Sequence, residues 1–171
     1  MSTENELTAD GRWASQLRVD QPLLIAEGFR RGIFPQSDPA ILAGMIASFV
    51  NERETDAHIH PKLMPDSLIK AFKKVSRGLK PFAGKMKQRK FEVRSLQLRP
   101  AATVCAWAQG QTWEKVLKIA EIEEGNLAML ILRTADNLRH IRNLKDVFPE
   151  AAATAAKCIE LILREPVVNE Y

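Results

Sequence analysis

Gly78-Leu79-Lys80-Pro81-Phe82-Ala83-Gly84-Lys85-Met86 sets two glycines before a lysine, the raw material of a loop that wraps phosphate in backbone N–H groups. The spacing defeats that chemistry. Five residues separate the glycines instead of four, Met86 stands where a magnesium-binding hydroxyl is needed, and no strand pattern precedes the segment. His58-Ile59-His60 could present two imidazoles on one side of an extended segment, but no carboxylate or thiolate at a ligand spacing completes a metal set. Cys105 and Cys158 fall on apolar helical patterns, where a thiol acts as a small inert hydrophobe. Neither a catalytic residue nor a metal site is expected in this chain.

Two other groups carry charge in patterns that suit a polymer rather than a reaction. Arg133 follows the apolar run Leu127 to Leu132 and shares a helical face with Asp136, Asn137 and His140. A guanidinium held there could stack on a base or bind phosphate, or it could simply be salt-bridged. Between Lys70 and Lys90 lie nine cations, Lys73 and Lys74 among them, and no acid. Such a block attracts phosphate backbone, although charge runs of this kind also serve as plain solvated faces.

The elements that must position these residues read as helices. Asp20-Gln21-Pro22 opens one that Gly32 stops, with Asp20 as the expected cap, and Ser37-Asp38-Pro39 opens the next. In that second helix Ile41, Leu42, Met45, Ile46, Phe49 and Val50 recur at three-to-four spacing toward Asn51-Glu52-Arg53, which puts Glu52 and Arg53 at its end. Thr55 to Pro65 reads as a loop. Leu68, Ile69, Phe72, Val75 and Leu79 then form an amphipathic stripe backed by the lysines, which Pro81 is expected to break or kink. Phe91 to Leu98 alternates briefly but lacks a partner strand, so it reads as extended connection or helix.

Pro100 starts the next helix, Gly110 ends it, and Thr112 caps Trp113 to Ala120. An acidic turn from Glu121 to Glu124 leads through Gly125 to a long helix. Its run Leu127 to Leu132 is apolar nearly all round and predicts buried first turns. Pro149 opens a last helix that Pro166 stops. Six or seven amphipathic helices with short connections predict an all-α bundle, within which Thr112 to Ile141 has the outline of a helix-turn-helix.

Composition agrees with one packed domain over residues 1–171. The chain is 46% apolar and 27% charged, with 8 glycines, 9 prolines and only two cysteines. No 18 apolar residues run together and the first ten are polar, so neither a membrane span nor a secretory leader is expected, and a reducing, cytoplasmic setting is.

Four patterns in order point to one family. They are Leu7-Thr8-Ala9-Asp10-Gly11-Arg12 with Pro22 to Glu27, then Pro39 to Arg53, then Trp107-Ala108-Gln109-Gly110-Gln111-Thr112-Trp113, then Glu124-Gly125-Asn126-Leu127 on to Arg133-Thr134-Ala135-Asp136-Asn137-Leu138-Arg139-His140-Ile141. Residues 7–168 resemble the C-terminal helical domain, often called DSHCT, of exosome-associated DExH-box RNA helicases and their bacterial relatives, and 1–6 and 169–171 are expected to be flexible ends.

The resemblance implies an accessory helical domain set against two ATPase lobes, joined to them in cis or in trans, with single-stranded RNA passing along a long ratchet-like helix. It places RNA contacts at Glu52 and Arg133, with Arg53, Asn137, His140, Lys73 and Lys74 as neighbouring candidates. ATP and magnesium would belong to the lobes, whose motifs this chain lacks, and no cofactor is expected here. Trp107 and Trp113 are expected to anchor the core, the latter where the family more often has Phe or Tyr. The chain is then a part of a longer helicase or a stand-alone descendant. Two other readings stay open: a protein-interaction bundle, and a helix-turn-helix protein that binds duplex DNA.

Overall fold

The computed structural model describes residues 8–14, 21–50 and 64–168, and the described residues form eight helices and no strand. They are α1 (Ala9–Ala14), α2 (Pro22–Arg30), α3 (Pro39–Ala47), α4 (Asp66–Gln88), α5 (Leu98–Ala108), α6 (Trp113–Ala120), α7 (Glu124–Arg142) and α8 (Pro149–Ile162). The all-α bundle is thus observed, with one or two more helices than the periodicity predicts. The extra element is α1, where the Gly11 N–H donates to Thr8 Oγ1 at 3.0 Å, a cap that six residues of sequence signal only weakly. Both expected ends, 1–6 and 169–171, lie outside the described residues.

The bundle is built around α3. Asp38 caps it by accepting from the Ile41 N–H at 3.2 Å, Pro39 sets its first turn, and every residue from Ala40 to Ala47 is buried. A helix that is apolar on all sides must be covered on all sides, and α5, α8, α7 and α4 each pack against it. Gly44 allows the closest of these approaches, because a Cβ there would lie 2.7 Å from the Ala101 carbonyl of α5. Two side chains of α8 hold the entrance to α3: Cys158 Sγ donates to the Pro39 carbonyl at 2.9 Å, and the Thr154 hydroxyl donates to the Gln36 carbonyl.

Aromatic rings join the remaining pieces. Trp13 of α1 meets Phe148 edge-on at 4.9 Å, and Phe148, Phe29, Phe34 and Phe49 continue the chain at 4.7 to 5.8 Å. Trp107 is fully buried and Trp113 nearly so, in a T-shaped pair at 5.3 Å. The Trp107 indole donates to the Ile162 carbonyl at 2.9 Å, and the Arg164 guanidinium lies 3.3 Å above its ring. The expectation that both tryptophans anchor the core is met.

Several boundaries differ from the sequence reading. Residue Gln21, with φ 48°, occupies the N-cap position of α2, and Asp20 lies outside the described residues. Helix α3 ends at Ala47, with Ser48 at its C-cap, so it stops short of Asn51-Glu52-Arg53, and those three are not described. Helix α4 continues past Pro81 to Gln88, so the proline does not break it. The proline sits on the exposed face, where water can serve the carbonyl it leaves without a donor. Gly78 and Gly84 are therefore helical residues, not a phosphate loop. Phe91 to Gln97 takes no regular form, and α5 begins at Leu98, two residues before Pro100.

Two glycine substitutions test this packing. Gly44→Ala should lower unfolding free energy by about 1–3 kcal/mol through overpacking against α5, measured by urea denaturation. Gly84→Ala, which meets nothing within 4 Å, should raise it by about 0.5–1 kcal/mol by removing backbone freedom from the unfolded chain.

Candidate nucleic-acid interface

Helix α7 is two-faced, and its inward face is fixed first. Leu127, Ile131, Thr134, Ala135, Leu138 and Ile141 are buried against α8, α3 and α5, and the Thr134 hydroxyl is satisfied by the Leu130 carbonyl at 2.8 Å. That leaves an outward stripe at helical spacing: Met129, Arg133, Asp136 and His140. Met129 is 52% exposed and Leu132 37% exposed. The expectation that the whole run from Leu127 to Leu132 is buried is thus corrected: partners cover only one side of α7, and the other keeps its apolar side chains in solvent. Sequence reading missed both residues because an apolar run carries no mark of which face lacks a partner.

Arg133 and His140 are half-buried beside that apolar pair, and Asn137 is buried at the edge of the stripe. Arg133 and Asn137 are both engaged with neighbouring groups. Asp136 is ion-paired with Arg139 one turn on, so its negative charge is partly offset where a phosphate would approach. The stripe can thus offer a cation, an imidazole and two apolar side chains to an unpaired nucleotide, from a helix whose position the core dictates.

The other predicted candidates are placed elsewhere. Lys73 and Lys74 are exposed on α4, which packs against α2, α3 and α5. The lysines thus lie on a different helix from the α7 stripe. Glu52 and Arg53 lie outside the described residues, as do His58 and His60. Among the described residues no group of three or more His, Cys, Asp or Glu is placed to hold a metal ion, and no helix is long and apolar enough to cross a membrane.

The helix-turn-helix outline is seen as α6 and α7, joined by a side-chain hydrogen bond. The Trp113 indole donates to Glu124 Oε1 at 3.0 Å and ties the start of α6 to the start of α7. A recognition helix needs its first turn free to meet base edges. Here Glu121, Glu123 and Glu124 crowd that end with negative charge, which phosphate repels.

Cys105 and Cys158 are buried, and burial pushes both thiols up to about 12. The folded state then holds the thiol proton more tightly than the unfolded chain, so this contribution to stability is complete below the unfolded thiol range near 8.5 and is lost as pH rises toward 12. Alkylation by iodoacetamide at pH 8 should be slower in the native protein than in urea by orders of magnitude, as mass spectrometry of timed samples would show.

Comparisons with known proteins identify the family. The model of the DSHCT (NUC185) domain matches residues 4–170. A chloroplastic DExH-box ATP-dependent RNA helicase of Arabidopsis thaliana is 27% identical over 167 residues, covering 92% of this chain and 14% of that protein. The chain therefore spans a small part of the length of that relative.

Proposed function

The chain belongs to the DSHCT family, and on that premise we propose that it is the accessory domain of a DExH-box RNA helicase and lays single-stranded RNA across the outward face of α7. The observation that carries the reading is the pairing of Arg133 with exposed Met129 and Leu132 on a helix locked into the core by its opposite face. Bases are available for stacking and edge contacts only when unpaired, and the flat guanidinium of Arg133 can stack on one while Met129 and Leu132 keep water from its edge. His140 extends the stripe about two turns beyond Arg133.

The ATPase lobes would be supplied in cis or in trans, and ATP and magnesium would bind there. In this reading the domain performs no reaction. It grips the strand that the lobes move, so that each cycle of hydrolysis advances RNA along a fixed wall. By the family resemblance Glu52 and Arg53 would also touch the strand, the carboxylate accepting hydrogen bonds from base edges. Lys73 and Lys74, in the first half of α4, would hold backbone phosphates farther along the path.

Fluorescence anisotropy with a labelled single-stranded RNA and the matching duplex, at two salt concentrations, tests the proposal. The single strand should bind more tightly, and Arg133→Ala should weaken it roughly tenfold, the scale of one lost charged hydrogen bond. Equal binding by folded wild type and variant would overturn the α7 site.

Charge reversal at Lys73 and Lys74 reads the α4 contacts. Each phosphate contact on a single strand contributes about 0.7 to the slope of log affinity against log salt, so the double reversal should flatten that slope by roughly 1 or more. An unchanged slope would return α4 to a solvated face.

A further inference from the structure

Between α2, α4 and the irregular connection before α5 lies a groove of about 280 Å³. Its floor is formed by Leu24 of α2, Leu79 of α4 and Leu96 of the irregular connection, and its rim by Lys80, Lys87 and Arg94. The rim is cationic for a reason legible along α4. At about 100° per residue, Lys80 and Lys87 flank the same edge of the helix, while Phe72, Leu79 and Ala83 turn toward the bundle. Among the described residues none of these three cations has an acidic partner within ion-pair distance. The acid of the connection, Glu92, does not line the groove.

The groove is also preformed. Its outer wall, Phe91 to Gln97, is irregular but pinned at both ends and in the middle. The Phe91 N–H donates to the Met86 carbonyl at 3.0 Å, the Arg94 N–H to Gln21 Oε1 at 3.2 Å, and the Gln97 N–H to the Ser48 carbonyl at 3.2 Å. A partner entering it pays little to order the site.

We propose that this groove docks a short acidic peptide segment of a protein partner, with large apolar side chains on the leucine floor and carboxylates on Lys80, Lys87 and Arg94. Charge complementarity selects the acid, and the floor selects the rest. Nucleobases favour flat aromatic platforms, whereas three branched aliphatic side chains form this floor and Phe72 is the one ring that borders it. Aliphatic or aromatic peptide side chains suit such a surface, and opposite charges around it fix their register and speed encounter. The site is separate from the α7 stripe and does not rest on RNA binding there.

The test is fluorescence anisotropy of the full chain with a labelled short peptide repeating Asp-Glu-Leu-Asp-Phe. Binding should weaken with salt and fall roughly tenfold in Lys80→Glu/Lys87→Glu, whose side chains are both exposed and whose fold is checked by circular dichroism. Leu96→Gln should weaken binding while leaving the salt slope unchanged; if that variant does not fold, the charge-reversed variant still decides. Absence of binding, equal affinity for a peptide of Asp and Glu alone, or equal affinity in the charge-reversed variant would overturn the proposal. So would displacement of the peptide by single-stranded RNA whose own affinity drops in the same variant, since the groove would then be a nucleic-acid site.

Discussion

A helix with no face for water sets the plan of this protein. Every residue of α3 from Ala40 to Ala47 is buried, and each side of that cylinder must be covered. Four helices do so, and they come from distant parts of the chain. Gly44 decides how close α5 can come, while Cys158 and Thr154 decide where α8 meets the N-terminal end of α3. The buried thiol thus serves as a packing atom and a weak donor, and the pressure of its surroundings against ionisation suits that role.

Because α3 is the shared partner, the surfaces built on its neighbours are rigid with respect to one another. Helix α7 turns one face to α3, α5 and α8 and the other outward, so Arg133, Met129 and Leu132 are held by a core that they do not belong to. Recognition gains from such preorganisation, since little freedom is lost on binding. The same logic applies to the irregular connection before α5, which three hydrogen bonds hold against α4 and the end of α3.

Charge is distributed by element rather than by average. The net value of +4 conceals a helix whose exposed side is almost wholly cationic and a turn between α6 and α7 where Glu121, Glu123 and Glu124 gather. The acidic end repels phosphate from the start of α7, and Met129, Leu132 and Arg133 lie about one and a half to two and a half turns farther on. The indole of Trp113 holds Glu124 at that acidic end.

Much of the fold was legible along the chain, because helical periodicity and caps are local. Asp38 and Thr112 cap the helices expected of them, accepting from Ile41 and Lys115, and Gly32 takes the positive φ that ends α2. The order of motifs likewise identified the family before any coordinates. What escaped was whatever depends on which neighbour arrives. Pro81 reads as a break but is tolerated on a solvent-facing side of α4, and the run Leu127 to Leu132 reads as buried but is covered on one side only. Nothing local marks the groove beside Lys80 and Lys87 either. Its wall exists because Gln21, 73 residues away in sequence, accepts from Arg94. Residue type and spacing alone set the helices, their caps and their charge. Tertiary packing decided which faces stayed open to a partner, since exposure is a property of neighbours and not of a residue.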